Sequence, residues 1–147
     1  MPEPYSPLPA HAVSRPLHPM VLGIPLICFL GALVADIAYY RSFDVTWKNF
    51  SDWLLAGGMV VGALAAIVGI FDLLRRPVRA NRLIWPYAGT YAVAMILGLF
   101  NNFVHSRDAY GAMPAGLVLS VLTVLTLTVA AIISVPLSRQ RRPGGII

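Results

Sequence analysis

Residues 53–74 read WLLAGGMVVGALAAIVGIFDLL, with Asp72 as the only charged side chain. A hydrocarbon core about 30 Å thick is crossed by about 20 apolar residues rising about 1.5 Å each, so this stretch is a membrane-spanning helix. A transmembrane strand would alternate apolar and polar positions over about ten residues, whereas this run is apolar on every side. Working outward, three more runs have the same character: 20–40 (MVLGIPLICFLGALVADIAYY), 83–104 (LIWPYAGTYAVAMILGLFNNFV) and 115–137 (AGLVLSVLTVLTLTVAAIISVPL). The fold class predicted is all-α: a four-helix transmembrane bundle running up-down-up-down. The composition agrees, with 58% hydrophobic and 12% charged residues among 147 and a mean hydropathy of +0.74. Such a chain is too apolar to be an ordinary cytosolic enzyme.

The net charge of +5 sits in two short blocks beside apolar runs, which speaks of membrane topology and not of nucleic-acid binding. The link 75–82 carries Arg75, Arg76, Arg79 and Arg82 with no acid, and the C-terminal tail carries Arg139, Arg141 and Arg142. The positive-inside rule makes both cytoplasmic. The link 41–52 balances Arg41 and Lys48 with Asp44 and Asp52, and the third link sets Arg107 beside Asp108, which places both outside. Both termini are then cytoplasmic. Aromatic side chains fall where interfacial belts need them, with Tyr39, Tyr40, Trp47, Trp53 and Tyr110 outside and Trp85 and Tyr87 inside.

Residues 1–19 hold six of the twelve prolines and form a flexible, proline-rich cytoplasmic tail. The transmembrane domain occupies 20–137, and 138–147 are a basic cytoplasmic tail. The first apolar run exceeds a signal-peptide core, and Leu33-Val34-Ala35 is no small-x-small cleavage site, so the run is retained as an anchor. The links are too short to hold a domain, and no internal repeat suggests a transporter built from inverted halves.

Helices in lipid associate through close contact at small side chains. Gly58, Gly62 and Ala66 recur every four residues, with Ala65 and Gly69 on the neighbouring stripe, and mark the second run as the packing helix. The stripe serves either the bundle itself or a docking protein. Carboxylates inside spans are functional candidates by default. Asp72 lies at the inner edge, three and four residues from Arg75 and Arg76 and near the level of His18, as an interfacial ion-pair cluster. Asp36 lies four residues, about 6 Å, inside Tyr40. Asn101, Asn102, His105 and Arg107 reach the same outer level, so an outer polar cluster is expected there. It can titrate, line a quinone headgroup pocket, or satisfy itself.

A haem held between His18 and His105 is excluded by distance, since the two stand at opposite membrane edges about 30 Å apart. His11 has no ligand at a usual spacing, and Cys28, the only cysteine, permits neither a disulfide nor a Cys-based metal site. No GxSxG, HExxH, P-loop or dinucleotide-binding glycine pattern occurs. No catalytic site, metal or cofactor is expected.

The stretch HPMVLGIP, then Asp36, then the second run with Gly69 and Asp72, resembles a bacterial family of predicted four-span membrane proteins, the domain of unknown function numbered twenty-two thirty-one. His18, Pro19, Asp36, Gly69, Asp72, Asn102 and Arg107 match that family's polar and glycine positions. Ile24 stands where the family usually has phenylalanine, and SVPLSRQRRPGGII replaces its usual ending. The resemblance implies a bacterial inner-membrane setting and the four-helix bundle. Related domains accompany periplasmic dehydrogenases or Rieske-type modules, which implies an anchor or a quinone-side subunit.

Three functions are weighed. The first is a non-enzymatic anchor or accessory subunit, partnered by the bilayer and by a membrane or periplasmic protein or further copies of itself. The alternative is a redox subunit in which Asp36, Asn102 and His105 bind quinone for an extracytoplasmic dehydrogenase. A proton-coupled transporter relaying between Asp36 and Asp72 ranks last, because the two acids lie more than about 20 Å apart along the membrane normal.

Overall fold

The computed structural model describes residues 19–74, 81–108 and 111–139, with side chains from Gly23 to Leu137. The proline-rich tail up to His18, the arginines at 75, 76 and 79, Tyr110 and residues 140–147 lie outside the described residues, as do the expectations resting on them.

Four helices make up the bundle: α1 (Pro19–Ser42), α2 (Val45–Leu73), α3 (Ile84–His105) and α4 (Ala115–Arg139). All four are long and apolar enough to cross a membrane. Pro19 opens α1, where its missing N–H leaves no bond unmade. Pro25 lies inside α1 with its side chain fully buried.

The sequence reading placed a link at 41–52, but only Phe43 and Asp44 separate α1 from α2. Phe43 takes a left-handed conformation (φ 55°), and its N–H donates to Tyr39 O at 2.8 Å, closing α1. The Asp44 carboxylate then accepts from the Thr46 N–H at 2.9 Å and caps α2. That hydrogen bond holds the Asp44 carboxyl below its ordinary value. α2 therefore runs for 29 residues and starts two turns before the apolar run does.

Each helix packs on two neighbours: α1 on α2 and α4, α3 on α4 and α2. α1 and α3 face each other across one diagonal. The core holds Phe29, Ala32, Leu55, Ala65, Tyr91, Ala94, Met95, Val124, Leu127 and Ala130. Large apolar residues such as Ile27, Val34 and Ile132 point outward, as lipid contact permits. Phe29 fills the space left by two glycines. A Cβ on Gly58 would come within 3.4 Å of its ring and within 2.9 Å of the Cys28 Cβ, and one on Gly98 within 3.0 Å of the same ring. Gly62 is pressed by Met95 and by the Tyr91 hydroxyl, which donates to Gly62 O at 2.9 Å.

Of the small residues singled out in α2, Gly58, Gly62 and Ala65 are buried, and Ala66 is partly buried against the core. Gly69 is half-buried and lines a cleft. The 3.6-residue turn explains the drift: a strict four-residue repeat walks around the helix, whereas the buried stripe of α2 advances by alternating three and four residues.

Candidate functional site

Asp36 of α1 is fully buried on the bundle axis, six residues (about 9 Å) before the end of its helix. Each of the other helices sends it one partner. Ser51 Oγ of α2 donates to Oδ1 at 2.5 Å, and Ser120 Oγ of α4 donates to Oδ2 at 2.5 Å. His105 Nε2 of α3 lies 2.9 Å from Oδ1. Ser51 and Ser120 are themselves buried, and Ser51 Oγ also lies 3.3 Å from Ala32 O.

A second layer fixes the first. Asn101 Nδ2 donates to Ser120 Oγ at 2.8 Å, and the Asn101 main-chain carbonyl lies 3.0 Å from His105 Nδ1. Lys48 Nζ donates to His105 O at 2.8 Å and pairs with Asp52 at 2.7 Å, placing a cation on the C-terminal carbonyls of α3. Gly116 of α4 makes room for the imidazole, since a Cβ there would stand 2.5 Å from His105 Cε1.

The histidine contacts settle a proton count. A main-chain carbonyl can only accept, so Nδ1 carries a hydrogen. Nε2 and Asp36 Oδ1 then share a single proton, either on the nitrogen as an imidazolium–carboxylate pair or on the oxygen as a neutral pair. In both arrangements the two groups sum to zero charge. Lys48 and Asp52 sum to zero beside them.

Of the expected outer cluster, Asp36, Asn101 and His105 come together. Asn102, one residue and about 100° further around α3, turns away; its amide donates to Gly98 O at 2.9 Å and reaches Leu55 O at 3.5 Å. Arg107 is exposed beyond the end of α3, where its backbone N–H donates to Val104 O at 3.2 Å, and it stands apart from the Asp36 cluster. Ser51, Ser120 and Lys48 were not foreseen. Ser51 had a signal: stepping back seven residues from Gly58 reaches it on the same helix face. Ser120 had none, because a serine in an apolar span is as often an i−4 backbone bonder, as Thr123 and Thr126 are here.

At the end of the bundle away from the α1–α2 turn, Asp72 is half-buried and lines a cleft, while His18, Arg75 and Arg76, expected to form a cluster with it, lie outside the described residues. That cleft, of about 340 Å³, opens between α2 and α3. A second, of about 130 Å³, lies across Tyr87 and Tyr91 on the α1 and α4 side. A third, of about 150 Å³, sits beside Tyr39 and Pro114 near the α1–α2 turn. None of the three includes Asp36, Ser51, Asn101, His105 or Ser120. Among the described residues, no three His, Cys, Asp or Glu side chains gather to hold a metal ion.

Two tryptophans frame the depth of the buried knot. Trp53 of α2 and Trp85 of α3 are both largely exposed, at opposite ends of the bundle. From Trp53 to Leu73 is about 30 Å of helix, the thickness of the hydrocarbon core. With Trp53 at one interface, Ser51 and Asp36 lie near that interface and not at the bilayer centre.

Fold and site together define a four-helix membrane protein locked near one end by a carboxylate that all four helices share. The chain belongs to the DUF2231 family of predicted membrane proteins, whose model matches residues 14–134. No curated protein and no solved structure matches it.

Proposed function

We propose that this protein is a non-catalytic subunit of the bacterial inner membrane, an anchor or accessory protein that works by presenting a rigid helical bundle to a membrane or periplasmic partner or to further copies of itself. The observation that carries this reading is the closure of the Asp36 knot. Its carboxylate is buried and bonded from three sides, and none of the three clefts described above is lined by it. A reacting group needs substrate access, whereas a group that fixes helix order and register needs only complete satisfaction.

The positive-inside pattern supports both termini and the α2–α3 link being cytoplasmic, with the knot on the outer side. The same burial argues against a quinone headgroup at Asp36 and His105, so the redox alternative falls behind. No cofactor is needed for the role proposed.

The test is mild purification from native membranes, followed by native mass spectrometry, an absorbance scan and quinone extraction. The expected result is a defined complex with another protein or with itself, free of stoichiometric quinone or haem. Stoichiometric quinone, lost in His105→Gln, would overturn the reading in favour of the redox subunit. Cysteine labelling near Arg79 from the outside only would overturn the topology.

A further inference from the structure

We propose that the cleft between α2 and α3 holds one acyl chain of an anionic phospholipid. Near mid-bundle, Gly58 and Gly98 leave a gap that Phe29 fills. Further from the α1–α2 turn, the small residues Ala65, Ala66 and Gly69 of α2 and Ala88 and Ala92 of α3 line a cleft that Tyr87, Tyr91 and Met95 also border. About 340 Å³ is left, within the range of sites that bind small ligands.

The position decides what kind of molecule can enter. The cleft opens sideways between two membrane-spanning helices, and its rim carries Ile70 and Ile96, both more than half exposed. What meets that rim in a bilayer is hydrocarbon chain. The lining is almost wholly apolar, which suits a chain and not a headgroup.

The charge decides which lipid. The sequence joining α2 to α3 has four arginines and no acid. Arg82 is exposed two residues before Ile84, where the cleft wall begins. Asp72 at the mouth is engaged in an interaction of its own. Tyr87 lines the cleft in the first turn of α3, and its hydroxyl has no partner among the described residues. A phospholipid ester carbonyl at that depth can accept from it. An anionic headgroup beside Arg82, with one chain in the cleft, meets all three features at once.

The inference is independent of the subunit reading, because it is read by lipid count and not by protein partner. The full-length protein would be reconstituted in vesicles of equal phosphatidylglycerol and phosphatidylcholine, then extracted mildly for native mass spectrometry. Phosphatidylglycerol retained at about one per chain, at least about fivefold over phosphatidylcholine, is the expected result, fivefold being the factor of a single juxtamembrane arginine. Ala92→Phe, at an exposed wall position, should expel the lipid with helix content unchanged, and Arg82→Gln should lower the preference. Equal retention of the two lipids, retention unaltered in Ala92→Phe, or a second copy of the chain seated on this face would each overturn the proposal. If Ala92→Phe fails to fold, the wild-type lipid ratio and Arg82→Gln alone decide.

Discussion

Replacing Asp36 by asparagine changes one atom's chemistry and leaves the shape of the side chain intact, so its effect isolates the charge and proton inventory of the knot. The amide oxygen can still accept from Ser51. It cannot serve His105, because with Nδ1 donating to Asn101 O the neutral ring presents a bare Nε2 to a bare oxygen. Protonating the ring instead would leave a buried cation without its partner. The flipped amide, with its nitrogen in the place of Oδ1, can donate to Nε2 while its oxygen accepts from Ser120, but Ser51 then loses the carboxylate as acceptor and keeps only Ala32 O at 3.3 Å, and every bond left in the knot is a neutral one. A hydrogen bond to a charged group contributes about 1.5–3 kcal/mol, and breaking a buried pair costs about 3–5. Neutral interhelical bonds in membranes average only about 0.6 kcal/mol, with a maximum near 1.7. A loss of about 3 kcal/mol is therefore expected, and anything above about 2 requires the charge argument. The assay is unfolding in bicelles titrated with dodecyl sulfate and followed by circular dichroism. A loss under about 1 kcal/mol would refute the reasoning. The double replacement Asp36→Leu with His105→Leu should be milder than His105→Leu alone, since it leaves no buried charge and Ser51 keeps Ala32 O within reach.

The remaining expectations follow from contacts around that centre. Gly116→Ala should destabilise the bundle by about 1–3 kcal/mol in the same titration without altering any polar atom, because the imidazole it meets is tethered at both nitrogens. Gly58→Ala should cost more than Gly62→Ala, since the first Cβ meets the fixed Cys28 Cβ and the second meets the movable end of Met95. The Asp44 carboxyl is lowered from 3.8 by its bonds to Thr46, so its cap supports α2 above that value and is lost as the pH falls through the folded one. Amide exchange at Thr46, corrected for intrinsic rate, should accelerate on acidification below about 4, and Asp44→Ala should abolish that pH dependence.

Much of this architecture was legible in the chain, for a physical reason. Four runs of lipid-length apolar sequence admit one kind of backbone, because unsatisfied amides cannot stand in hydrocarbon. The meeting of Asp36 with Asn101 and His105 could be read from depth, since the two α3 residues are four apart on one face. What could not be read was which other side of each helix faces inward. A membrane helix is apolar toward lipid and toward its neighbours alike, so no polar stripe reports its rotation. Ser120 therefore looked like any other hydroxyl in the fourth run. The early start of α2 was obscured differently: its first two turns hold Lys48 and Asp52 and look like a polar loop, although Asp44 and Thr46 form a helix-start signal. Those two turns carry the lysine that caps α3.

The single proton between His105 and Asp36 also bears on how the protein responds to an electric field. A full elementary charge carried across a membrane at 100 mV exchanges about 2.3 kcal/mol with the field. Passing one proton from Nε2 to Oδ1 leaves the pair's total charge at zero and displaces charge by about 1 Å out of about 30, which couples to the same voltage by less than about 0.1 kcal/mol. The knot can thus sit inside an energised membrane with its protonation state nearly indifferent to the potential across it.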